Sequence, residues 1–183
     1  EIDTTAKMLE KIAAATTTAV VMNREDERIC RVGIAYTNDP SSKELALSYF
    51  GLAPKLRSHF PTDDELHATT HHRTSKALPA ADVVLKDFND KGAAFTIAGK
   101  TYVTPLKLRG IYNIFNSAAA LALVRAILPN AQPNTLLKAL SEVTPAFGRG
   151  ETLVVEGQPL ELVLVKNPAG FRLALDSFSP EGY

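Results

Sequence analysis

The sequence predicts an α/β fold, and three observations carry that prediction. Short β-branched runs such as Thr18-Ala19-Val20-Val21-Met22 and Val83-Val84-Leu85 alternate with segments of helical period. Glycines at 99 and 157 sit between paired strand-like runs, the pattern of hairpins. Residues 110–127 form an alanine- and leucine-rich run with no proline or inner glycine, which favours a helix. The chain has 183 residues and zero net charge, and 45% of its residues are apolar. That is enough for a buried core, and the charge balance argues against a nucleic-acid-binding or polybasic membrane surface. Cys30 is the only cysteine, which rules out an internal disulfide and makes a cytoplasmic protein the expectation. No stretch has the apolar length of a membrane span, and no signal peptide is recognisable. The chain starts inside a helical pattern and stops soon after a strand, so a part of a longer polypeptide is expected.

In chain order, Asp3 is a predicted N-cap for a helix over Thr4–Ala15, with Met8, Leu9 and Ile12 facing inward. Residues 18–22 form a buried strand, and Asn23 to Arg28 follow at its C-terminal end. In open α/β sheets that end carries ligand loops, so Asn23 and Asp26 either face a site or start a helix. Val32–Tyr36 is predicted as a second strand and Leu45–Phe50 as a third. Residues 53–80 lose periodicity and are expected as an irregular insertion. They hold all four histidines, His59, His67, His71 and His72. A zinc site there lacks a completing ligand pattern, and a polar loop is the simpler reading. Strand character resumes at Val83–Phe88, and residues 93–106 read as a hairpin. Gly99-Lys100-Thr101 imitates the end of a phosphate-binding loop, but Ala94 stands where the earlier glycine is needed and strands flank it. It is read as a turn. Asn134 is predicted to cap a helix over Thr135–Glu142, with Leu136, Leu137 and Leu140 inward. Residues 152–156 and 159–165 form a second hairpin, and Phe171–Phe178 starts a helix.

The candidate site residues follow from this layout. Asn113 and Asn116 are three apart in the first turns of the 111–127 helix and share one face. Their amides match the donor–acceptor edge of adenine. They equally suit bonds to neighbouring backbone. Arg149 lies between Gly148 and Gly150, where backbone passes close to another group. Its guanidinium fits a phosphate, a ribose oxygen or a carboxylate, including the nearby Glu151. Lys166 and Asn167 emerge at the end of an apolar strand, a position suited to ligand contacts.

Taken together, Asn23-x-x-Asp26, Gly110-x-x-Asn113-x-x-Asn116, Gly148-Arg149-x-Glu151 and Lys166-Asn167-Pro168 resemble, in order and spacing, the Mur ligase superfamily. The runs 147–151 and 166–171 resemble most its MurT-type branch, the ligase-like subunits of lipid II isoglutaminyl synthase. The resemblance implies that residues 1–156 are the second half of an ATP-binding middle domain, with β-hairpins and the insertion at about 53–80. Residues 157–183 would begin a Rossmann-like C-terminal domain. It implies that Asn113 and Asn116 contact adenine, that Arg149 lies near the ribose and phosphates, and that Lys166 and Asn167 lie at the hinge over the nucleotide. It implies ATP and Mg²⁺, with the phosphate loop and magnesium ligands before Glu1. It also implies a GatD-type glutamine amidotransferase partner in a heterodimer, and lipid II at the cytoplasmic membrane face as substrate. In amino-acid-adding Mur ligases the last run is Asp-Tyr-Ala-His-x-Pro. Val163 and Lys166 stand here at the aspartate and histidine positions, so the resemblance does not carry that aspartate's ribose contact over to this chain. An amino-acid-adding or folylpolyglutamate-type ligase, and a non-catalytic nucleotide-binding piece, are the alternatives.

Overall fold

The computed structural model describes residues 2–38, 46–60, 78–145, 149–165 and 171. Its elements are α1 (Ile2–Ala15), β1 (Ala19–Asn23), α2 (Glu27–Asn38), β2 (Ala46–Leu52), a 3-10 helix (Pro54–His59), β3 (Val83–Asn89), β4 (Gly92–Ile97), β5 (Lys100–Pro105), α3 (Ile111–Ile127), α4 (Pro133–Glu142), β6 (Arg149–Val155) and β7 (Gln158–Val163). β1 to β5 form one sheet in chain order. The β1–β2 and β2–β3 pairs are parallel, whereas β3–β4 and β4–β5 are antiparallel. The predicted α/β class is therefore observed, with a five-stranded mixed sheet.

Strand alternation sorts the sheet's side chains onto two faces. Val21 and Phe50 pack with Leu52, Val83, Leu85, Phe95 and Ile97 under α3 and α4. α3 contributes Ile114, Ala118, Leu121 and Ala122 to this core, and α4 contributes Leu137 and Leu140. Met22 and Tyr49 point the other way, against Ala13 of α1 and Ile29, Val32 and Tyr36 of α2. α3 lies across β1, β2 and β3, and its Phe115 meets Phe50 of β2 with ring centroids 5.2 Å apart.

The predicted strand at Val32–Tyr36 is overturned: these residues lie inside α2. Asp26 is the cause. Its Oδ1 accepts the backbone N–H groups of Arg28 (2.8 Å) and Ile29 (3.0 Å), which caps the helix. Ile29, Val32 and Tyr36 then recur at helical spacing and reach the sheet. Gly33 is small for a packing reason, because a Cβ there would sit 1.9 Å from the Tyr49 hydroxyl.

Three further expectations change. Asp3 lies within α1 and faces Arg28 at 3.6 Å, so it is not the cap. Met8, Leu9 and Ile12 are 54%, 40% and 56% exposed, and α1 instead reaches the core through the small Ala13. Asn134 sits in the first turn of α4. Gln132 is the N-cap residue there, and Pro133, with φ preset for a helix, takes the first helical position.

The start of the expected irregular insertion is ordered. Its 3-10 helix buries Leu56, and Phe60 behind it is buried as well. His67, His71 and His72 lie outside the described residues, as does all of the predicted 171–178 helix after Phe171. His59 meets Phe88 edge-on at 5.8 Å.

Both predicted hairpins are present. Ala98 (φ 47°) and Gly99 (φ 80°) make the β4–β5 turn, and Glu156 (φ 51°) and Gly157 (φ 81°) make the β6–β7 turn. Two successive positive φ values match the right-handed strand twist. Lys100 and Thr101 are exposed beside the first turn, which agrees with rejecting a phosphate loop there. β6 and β7 pair with each other across residues 156 and 157.

Candidate functional site

The site is built at the head of α3. Gly110 precedes the helix with φ 82°, and no side chain caps the first turn. Ile114, Ser117, Ala118 and Leu121 turn into the core. That leaves Tyr112, Asn113 and Asn116 on the outer side: Tyr112 is 42% exposed, Asn116 is exposed and Asn113 is half-buried. The shared face predicted for the two asparagines is therefore present. Asn113 Nδ2 donates to the Arg109 carbonyl at 2.7 Å, so this amide does bond neighbouring backbone. Arg109 Nη1 in turn donates to the Asp90 carbonyl in the β3–β4 turn at 2.9 Å. An exposed Tyr112 and a bracing Arg109 were not singled out in the sequence. A helix-spacing count from Asn116 back to Tyr112 would have found the first, whereas the 19-residue reach to Asp90 left no local signal for the second.

The side chains of the other predicted nucleotide contacts, Arg149, Lys166 and Asn167, lie outside the described residues. Arg149 opens β6 opposite Val163, next to an irregularity before Glu151, but its side chain lies outside the described residues. Lys166 and Asn167 lie outside them altogether. Asn23 and Asp26 serve the backbone: Asn23 Oδ1 accepts the Glu25 N–H at 2.9 Å, and Asp26 caps α2.

A buried charge cluster, also unforeseen, sits beyond the ends of β1 and β2. The Glu25 side chain is 6% exposed. Its Oε1 accepts Arg24 Nε (3.1 Å) and the Leu52 N–H (3.0 Å), and its Oε2 accepts Arg57 Nε (2.9 Å). Arg24 lies flat over Gly51, where a Cβ would come within 2.3 Å of Nε. Its other nitrogens donate to the carbonyls of Leu52 (2.8 Å) and Pro79 (3.4 Å). The guanidinium thus ties together the two edges of the 53–78 segment. Beside it, the Cys30 thiol donates to the Arg24 carbonyl. Burial, followed by the Asp26 and Glu25 carboxylates, pushes this thiol up to about 11.

Among the described residues, no group of three or more histidine, cysteine, aspartate or glutamate side chains could hold a metal ion. No described helix is long and apolar enough to cross a membrane.

No protein-family model matches the chain. A curated relative, the MurT subunit of glutamine-hydrolyzing lipid II isoglutaminyl synthase from Streptococcus pneumoniae (strain ATCC BAA-255 / R6), is 30% identical over 92 residues. That stretch is 50% of this chain and 20% of the relative, so the match spans about a fifth of the relative's length. Among solved structures, a pseudomurein peptide ligase type C from Methanothermus fervidus superposes with a TM-score of 0.71 at 18% identity, over 97% of this chain and 37% of that one. The UDP-N-acetylmuramoylalanyl-D-glutamyl-2,6-diaminopimelate–D-alanyl-D-alanyl ligase of Acinetobacter baumannii gives 0.64 at 14% identity, over 94% and 32%. The folylpolyglutamate synthase of Mycobacterium tuberculosis, solved with ADP and AMPPCP, gives 0.60 at 16% identity, over 94% and 34%. In fold the chain stands with the Mur ligases and folylpolyglutamate synthases, and in sequence it is similar to MurT over half its length.

Proposed function

We propose that this chain is the nucleotide-base half of an ATP-dependent carbon–nitrogen ligase subunit of the MurT type. The observation that carries the reading is the pair Asn113 and Asn116 on the outer face of α3, in a chain similar to MurT. Their amides would hold adenine, with Arg149 toward the ribose and phosphates and Lys166 and Asn167 at the hinge over the nucleotide. Residues 1–156 would belong to the ATP-binding domain and 157–183 to the start of the next. The α-carboxylate of D-glutamate in the lipid II stem would attack the γ-phosphorus of ATP, and ADP would leave. Ammonia would then attack the acyl phosphate, lose a proton and expel inorganic phosphate, giving D-isoglutamine. Phosphorylation is needed because a carboxylate oxygen is a poor leaving group. ATP and Mg²⁺ would serve as cofactors, the Mg²⁺ supplying positive charge to the transferring phosphoryl group. Ammonia would come from a GatD-type glutamine amidotransferase bound as a heterodimer, with the protein in the bacterial cytoplasm and lipid II at the membrane face.

Asn113→Ala tests the reading. Loss of one bidentate base contact is worth about 1–3 kcal/mol, so ATP affinity measured by calorimetry on the folded variant should fall roughly 5- to 150-fold. Unchanged affinity refutes the base contact. An amino-acid-adding activity in place of glutamine-dependent amidation of lipid II would refute the MurT assignment while leaving the nucleotide site standing.

A further inference from the structure

The 3-10 helix after β2 reaches the helix that carries the two asparagines. Phe60, the residue that follows Pro54–His59, is buried, and its ring centroid lies 5.1 Å from that of Phe115 in α3. Phe50 of β2 meets the same Phe115 ring at 5.2 Å. Phe60 also stands edge-on to Phe88 of β3 at 6.5 Å. Aromatic pairs at such separations prefer particular tilts, so a ring with two ring neighbours is held in position more tightly than an aliphatic side chain would be. Phe115 directly precedes the exposed Asn116 in α3. Within one turn an α-helix moves as a rod, so whatever fixes Phe115 also fixes where Asn116 stands.

Phe60 is itself anchored. The Ala53 N–H donates to the Leu85 carbonyl of β3 at 2.8 Å, and the Leu56 N–H donates to the Ala53 carbonyl at 2.9 Å. The Phe60 N–H donates to the Arg57 carbonyl at 3.1 Å. Arg57 Nε donates in turn to the buried Glu25 carboxylate at 2.9 Å. A line of contacts therefore runs from Glu25 through Arg57, Phe60 and Phe115 and ends one residue short of Asn116.

We infer, on the reading of Asn116 as a base contact, that Phe60 is a positioning residue for the nucleotide base. It seats Phe115 and thereby sets where Asn116 presents its amide. The 3-10 helix and the nucleotide are then coupled in both directions: undocking Phe60 weakens base binding, and a bound nucleotide holds Phe60 down.

The test measures ADP binding by calorimetry in the wild-type protein, Phe60→Leu, Asn116→Ala and the double variant. Leucine keeps apolar bulk at position 60 and removes the ring. Phe60→Leu should lower ADP affinity about two- to tenfold, the worth of one aromatic pair. In the Asn116→Ala background the same change should cost almost nothing, because the contact it positions is already gone. A merely structural role would lower Tm and cost either no affinity or the same affinity in both backgrounds, and each of these results overturns the positioning role only, provided that Asn116→Ala alone weakens binding. Unchanged affinity in Asn116→Ala overturns the base contact itself, and the positioning role with it. Should Phe60→Leu not fold, amide exchange in the wild type decides the matter. Saturating ADP should slow exchange of the Leu56 and Phe60 N–H groups, and unchanged rates overturn the coupling.

Discussion

Replacing Glu25 by glutamine should be among the most damaging conservative changes available to this fold. The side chain is 6% exposed and accepts at least three hydrogen bonds, two of them from guanidinium groups. Glutamine keeps one oxygen, which can satisfy the Leu52 N–H. Its NH₂ group must then oppose the remaining arginine, donor against donor. Removing one partner of a fully buried ion pair costs about 3–5 kcal/mol, and a hydrogen bond to a charged group is worth roughly 1.5–3 kcal/mol. Arg57 is one-third exposed and can swing into water, and Arg24 retains the Leu52 and Pro79 carbonyls, so the lower end applies. The expected loss is about 3 kcal/mol. In a domain of this size that is a fall in Tm of roughly 6–12 °C. Urea unfolding should show the same loss as a lower midpoint at unchanged slope. A double-mutant cycle with Arg57→Met should return a coupling of about 1–3 kcal/mol. A loss under about 1 kcal/mol, or additivity in the cycle, would show that the cluster does not act as a unit.

Two other outcomes are expected. Gly92→Ala places a Cβ 2.2 Å from the Thr104 carbonyl, a backbone atom that cannot step aside, so the β4–β5 register must shift and stability should drop by about 2 kcal/mol or more in thermal unfolding. Cys30 should resist alkylation in the folded protein up to about pH 9 and react readily in urea. Because its folded value is raised above the unfolded one, the stability it contributes is complete below the unfolded value and lost as pH climbs toward about 11. Cys30→Ala should flatten that alkaline decline in a stability-versus-pH series.

How much could be read beforehand depends on how local the determining contact is. The β4–β5 turn was legible because Ala98-Gly99 carries its own conformational signature. The α3 helix was legible because alanine and leucine recur without a breaker for four turns. Val32–Tyr36 misled because Gly33 and Ala35 alternate with larger apolar residues as in a strand. The deciding feature was the Asp26 cap six residues upstream, together with Tyr49, which requires the small residue at 33. Asn113 and Asn116 could be paired from spacing within one helix. Arg109 and the Glu25 cluster could not, because their partners are brought in by sheet pairing from 19 to 55 residues away.

The strict chain order of the five strands has a consequence for how the domain assembles. β3, β4 and β5 are joined by the two-residue turns Asp90-Lys91 and Ala98-Gly99, so this meander closes at little entropic cost. The β1–β2 and β2–β3 pairings must wait for α2 and for the long 53–82 connection to come round, and they depend on contacts distant in sequence. The meander is therefore expected to form first. The parallel edge should pair last and open first, with the Glu25 cluster holding it shut, and amide exchange faster in β1 than in β4 would check this.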